Sequence, residues 1–155
     1  MLSDLPLRRR VATACYVINA AVSIGLGSTY LFRESFMPYH ADALGRSWAE
    51  VGSSLQVLLN ALMEVAGAGW ICLGLTILAL VAVPFRRAEP WARVLLPVLL
   101  LMFYVPTLLA TLSVLQHTPA SPPWYGNAMA CLTTLGGALA DAPWRRPVRQ
   151  GNHEH

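Results

Sequence analysis

VLLPVLLLMFYVPTLLATLSVL, residues 94–115, runs for 22 positions without a charged side chain. This stretch decides the fold class. As a helix rising 1.5 Å per residue it is about 33 Å long, enough to cross a hydrocarbon core about 30 Å thick. Pro106 lacks an N–H and clashes with the carbonyl of Met102, so a kink is expected there, with Thr107 helping to satisfy the freed backbone group. Three further apolar stretches lie outward from this one, at about 11–32, 55–83 and 125–140. The last is the weakest, because Asn127, Thr133 and Thr134 interrupt it. Its flanks still suit an interface, with Trp124 and Tyr125 before it and Trp144 after it; Trp48 and Trp91 complete the belts.

The charges order these stretches in space. Nine of the eleven arginines (Arg8, Arg9, Arg10, Arg86, Arg87, Arg93, Arg145, Arg146 and Arg149) fall before the first stretch, between the second and third, or after the fourth. Arg33 and Arg46 alone occupy the alternate connections, and there is no lysine. Positive residues concentrate on the cytoplasmic side of membrane proteins, so both ends are expected inside. The expected architecture is an all-α integral membrane four-helix bundle over residues 1–144, N-in and C-in, followed by a disordered cytoplasmic tail at 145–155. A multi-pass protein of the bacterial inner (plasma) membrane fits this pattern.

Composition agrees: 55% of residues are apolar and only 12% charged, about half the charged share of soluble domains. The formal charge of +3 does not indicate nucleic acid, because the arginines cluster at helix ends where anionic headgroups lie. The lipid bilayer is the expected partner. Cys15, Cys72 and Cys131 sit in apolar stretches, odd in number and without a CxxC pair, so no disulfide framework is expected. The apolar run after Arg10 exceeds the 7–15-residue core of a cleaved signal, and an uncleaved anchor is the better reading.

The longest polar connection is RESFMPYHADALGRSWAE, residues 33–50. Ser47 and Glu50 are spaced as a capping box, so a helix should start near Trp48. Continuous helix from there to residue 83 would be about 54 Å long, far more than a bilayer requires. A break at Gly52-Ser53-Ser54 is therefore expected. Phe36, Met37 and Tyr39 read as an interfacial anchor. Pro84 closes the second stretch, and Pro90 suits the first turn of the next helix.

Glu64 stands out, since an ionised group in an apolar helix is costly unless paired. Twenty residues before Pro84, it falls at the outer edge of the hydrocarbon. An ion pair with Arg33 or Arg46 is the plainest expectation; binding of a ligand or proton is the alternative. Asn60 lies one turn away, with Gly67 and Gly74 further along the same face. Asn19, Ser23 and Gly27 form a matching stripe on the first stretch, as do Thr133 with Gly137 and Gly136 with Ala140 on the fourth. Small and polar stripes are packing seams that let helices approach and bridge, and they suit a compact bundle that can pair with a second copy. His40 and His117 belong to the outer side near Glu64, but no HxxxH or HxxE pattern occurs, so no metal is expected. Catalytic signatures such as GxSxG, the P-loop and GxGxxG are missing.

The segment EVAGAGWICLGL, residues 64–75, followed by an arginine-bearing loop and an apolar helix, resembles the DoxX-like group of small four-helix membrane proteins. The resemblance covers about residues 60–93 and rests on Glu64, Gly67, Gly69 and Gly74. It implies an integral subunit supporting a redox assembly that faces the quinone pool. The FMPYH loop departs from that pattern and resembles an uncharacterised bacterial membrane family. Three functions are weighed on these residues. The first is an accessory or scaffold subunit without cofactors, docking a membrane partner or a second copy. The next is a small-molecule binder or transporter with an outer pocket around Asn19, Asn60 and Glu64. The last is an intramembrane enzyme using Glu64 with His40 or His117.

Overall fold

The computed structural model describes residues 6–142, and every regular element among them is helical. Trp144, the final three arginines and the expected tail at 145–155 lie outside the described residues.

Helix α1 spans Leu7–Leu31 and begins on Pro6, whose carbonyl accepts the Arg9 and Arg10 N–H groups. It starts four residues before the expected boundary because arginine is a good helix former and its long stem can reach past apolar surface to water. A short helix α2, Pro38–Leu44, and a single 3₁₀ turn, Trp48–Glu50, fill the connection. The expected capping at Ser47 is present, its N–H donating to Glu50 Oε2 at 2.8 Å. The turn ends because Val51 is extended and buries its side chain. Helix α3 then starts at Ser53 and runs to Leu80, so the expected break at 52–54 is observed.

Pro84 does not stop this helix abruptly. The chain widens into a π turn over Val81–Phe85, a turn that accommodates the missing N–H of Pro84 and carries Phe85 into the core. Helix α4 is Pro90–His117, with Pro90 in its first turn as expected and Pro97 and Pro106 inside it. It is continuous past Pro106. The Thr107 hydroxyl donates to Phe103 O at 2.7 Å, not to the expected Met102, because a threonine hydroxyl reaches the carbonyl four residues before itself. Helix α5 is Trp124–Asp141.

Three helical segments, Leu7–Leu31, Ser53–Phe85 and Pro90–His117, are long and apolar enough to cross a membrane. Helix α5 is not among them: it has 18 residues, about 27 Å of helix, and Asn127, Thr133 and Thr134 dilute its apolar content. It nevertheless packs against both α1 and α4.

Helix α1 is central, lying along α3 on one side and α5 on the other. Close approach to α3 is made by glycine. A Cβ on Gly67 would lie 2.7 Å from Gly27 O, one on Gly27 would lie 2.7 Å from Gly67 O, and one on Gly74 would meet Ala20 O at 2.8 Å. The stripes expected from spacing therefore meet as one seam. Gly137 seats the ring of Tyr16. Gly69 and Gly136 face open space instead and are not part of any seam among the described residues. Helices α3 and α4 have few close backbone approaches and are joined by aromatic side chains, Trp70 standing edge-on to Phe103 with centroids 4.6 Å apart and tilted to Tyr104 at 5.6 Å.

Candidate functional site

Three groups of polar or reactive side chains arise from this packing. The first is a buried seam midway along α1. Asn19 Nδ2 donates to Thr134 Oγ1 at 2.9 Å, and Thr133 Oγ1 donates to Asn19 Oδ1 at 3.0 Å. Tyr104 Oη donates to Asn19 O at 3.1 Å and shares a 2.7 Å hydrogen bond with Ser23 Oγ. These bonds tie α1 to α4 and α5 at one level, with Asn19 and Thr134 both buried. Asn19 and Ser23 are thus buried and hold helices together. Tyr104→Phe removes two interhelical bonds without changing shape, and an unfolding titration should register a loss of about 0.6–1.7 kcal/mol.

The second group lies at the arginine-rich end. Arg93 clamps Asp141, Nε to Oδ2 at 2.7 Å and Nη2 to the main-chain oxygen at 3.0 Å, while Arg9 Nε stands 3.7 Å from Oδ1. The Asp141 side chain is 3% exposed and the two arginines 19% and 20%. One carboxylate thereby fastens the ends of α1, α4 and α5. Asp141 was not singled out from the sequence. The available signal was an acid among arginines at the end of the fourth apolar stretch.

The third group lies at the opposite end, where α2 folds back over α3. Phe36, Val51 and Met63 form a separate small core, and Phe36 stands edge-on to Trp48 at 5.0 Å. Phe36 is buried there and holds the loop on α3, and Met37 is buried as well, so neither acts as the expected interfacial anchor. A cavity of about 380 Å³ opens beside this core, walled by Leu44, Leu59, Leu62, Met63 and Ala66 together with Tyr30 and His40. The Tyr30 and Tyr39 hydroxyls hydrogen-bond to each other. His40 Nδ1 accepts the Met37 N–H at 3.3 Å, capping α2 and leaving the ring proton on Nε2.

Burial, and then the nearby Arg33 guanidinium, hold the His40 pKa below its ordinary 6.5. Tyr39 and Tyr30 are the other titratable groups beside it. Because the folded-state pKa is depressed, the unfolded chain takes up the proton first as pH falls. The contribution to stability is complete above about pH 6.5 and is lost as pH drops through the folded value. Melting curves should show the native protein losing stability relative to His40→Gln as pH falls below about 6.5. Parallel curves would refute this.

The remaining expected site residues are scattered. Glu64 is exposed beside Val57 (71% exposed) and Val65 (73%), and among the described residues no ion pair joins it to Arg33 or Arg46. Asn60 is half-buried with Oδ1 unpartnered. His117 is exposed at the end of α4, Nδ1 lying 2.8 Å from Ser113 O. Glu64, His117 and His40 form no shared site: only His40 lines the cavity. Among the described residues no group of three or more His, Cys, Asp or Glu side chains converges as a metal site, and the three cysteines are free.

Fold and site together define an all-helical protein with three membrane-length apolar helices, tied internally by a polar seam and an ionic clamp. Comparison with protein-family models, with curated proteins and with solved structures finds no match.

Proposed function

We infer that the chain crosses a bilayer four times with both ends in the cytosol, α5 forming the fourth span, and that it serves as a non-catalytic accessory or scaffold subunit of a bacterial inner membrane assembly. The arginine distribution supports the orientation. Exposed Met129, Leu132, Leu135 and Leu139 on α5 support a lipid-facing role for that helix.

The observation that carries the scaffold reading is Glu64. It stands uncovered on a face of α3 that it shares, at helical spacing, with exposed Val57, Ala61 and Ala68. A carboxylate in such surroundings is costly unless something pairs with it, and small residues one turn away let a second helix approach closely. The polar groups of the midway seam, in contrast, are already engaged inside the chain. A membrane partner, or a second copy, presenting a hydrogen-bond donor to Glu64 satisfies this face. The DoxX resemblance supports a redox-linked assembly as that partner, through Glu64, Gly67, Gly69 and Gly74.

Purification in mild detergent tests the reading. The native chain is expected to migrate as a complex, and Glu64→Leu as a folded single chain. Identical monomeric behaviour of both would refute it, and reporter fusions placing the ends on opposite faces would refute the topology.

A further inference from the structure

The cavity between α2 and α3 lies apart from the Glu64 face, and its chemistry points to an occupant. Its volume of about 380 Å³ is within the range of small-molecule sites, about 300–1,000 Å³. Water is a poor filling, because an ordered water needs two to four polar partners. Most of the wall here is hydrocarbon: Leu59, Leu62, Met63 and Ala66. The polar atoms that do line it are largely committed. Tyr30 is engaged with Tyr39, and His40 Nδ1 with the Met37 N–H. What is left on the imidazole is its Nε2–H, a donor with no acceptor among the described residues. The occupant should therefore be mainly hydrocarbon with one hydrogen-bond acceptor at its end.

The position agrees with this. The cavity lies at the far ends of the membrane-length helices, by the last turn of α1 and the early turns of α3. Leu44 and Leu62, which are both exposed, stand at its edge. An apolar edge at a headgroup boundary admits a chain sideways from the bilayer, not a polar solute from water.

We propose that this cavity binds the acyl chain of a membrane-derived amphiphile, its ester carbonyl accepting the Nε2–H of His40 while the hydrocarbon lies along Leu59, Met63 and Ala66. The same chemistry is offered by a phospholipid chain and by a free single-chain acyl ester. Helix α2 closes the site on one side, so the FMPYH segment forms the binding wall through His40 and the supporting core through Phe36.

Native mass spectrometry of the delipidated full chain in detergent tests the proposal, with methyl laurate and dodecane as probes. Methyl laurate is expected to give a one-to-one adduct, with dodecane about ten-fold weaker for want of an acceptor. Ala66→Phe, which fills the cavity, should weaken methyl laurate about ten-fold or more, and His40→Phe should abolish the preference for the ester. Ala43→Leu is a second, milder filling variant should Ala66→Phe not fold, with melting curves as the check on folding. A co-purified phospholipid that methyl laurate displaces assigns the site to a bilayer lipid. An adduct formed only on lipid-free protein assigns it to a free acyl compound. No adduct, equal binding of the two probes, or full binding by a folded cavity-filled variant would overturn the proposal.

Discussion

A leucine at position 67 is expected to destabilise the protein by about 3 kcal/mol, the upper part of the range for overpacking. A fall of roughly 10 °C in melting temperature should accompany it. The reason lies in what the new side chain meets. Even its first carbon would sit 2.7 Å from Gly27 O and from Leu31 N. Backbone atoms on a neighbouring helix cannot swing aside as a side-chain tip can, so α1 and α3 must separate along their whole contact. Leucine at Gly69 or Gly136, where nothing lies within 4 Å, should leave the melting temperature of the isolated chain unchanged. Equal effects at 67 and 69 would show that this seam is not where α1 and α3 meet. Ala68→Leu, one turn from Glu64 on the same exposed face, has a further use: a folded chain that no longer enters a complex would locate the partner face beside Glu64.

Asp141→Ala is the second large effect. The carboxylate is nearly inaccessible and faces Arg93 at 2.7 Å and Arg9 at 3.7 Å. Its removal leaves two guanidinium groups facing each other without a counter-charge. Breaking a buried pair costs about 3–5 kcal/mol, and the partial exposure of both arginines places this case near the lower end. Unfolding of Asp141→Ala should therefore begin at the arginine-rich end, and a denaturant titration should register the loss. The double variant Asp141→Leu with Arg93→Leu should recover much of it, since replacing both members of a buried pair by apolar groups is often neutral. Failure of the double variant to recover would mean that the clamp contributes through Arg9 or through shape.

The two effects differ in how readily the sequence discloses them. Gly27, Gly67 and Gly74 recur at helical spacing within apolar runs, and a small-residue stripe in such a run has few roles other than close packing. Gly69 and Gly136 have the same local spacing yet face outward, because a helix carries small residues on more than one face and spacing does not say which is covered. Glu64 is conspicuous by its chemistry, but its surroundings depend on which elements come near it, and it is exposed among the described residues. Asp141 is the reverse. It ends the fourth apolar stretch, where a charge attracts no notice, and only folding brings it between arginines 48 and 132 residues away along the chain. The buried phenol of Tyr104 is likewise silent in the sequence: its bonds to Asn19 and Ser23 cross from α4 to α1.

The outer connection shows the same division. Ser47 and Glu50 disclose their capping because both partners lie within one turn, and the break before Ser53 follows from helix length against bilayer thickness. That Phe36 and Met37 turn inward, and that His40 faces a cavity, depends on α2 folding back onto α3.

The sequence by itself determined the helical class, the membrane-length apolar segments and the placement of turns, because hydropathy, charge and capping act over one helix or less. Tertiary structure alone decided which glycines are covered, which acid is clamped, and where the chain leaves a cavity. Those outcomes depend on distances between helices, and no local run of residues encodes a distance to a partner that arrives from a hundred positions away.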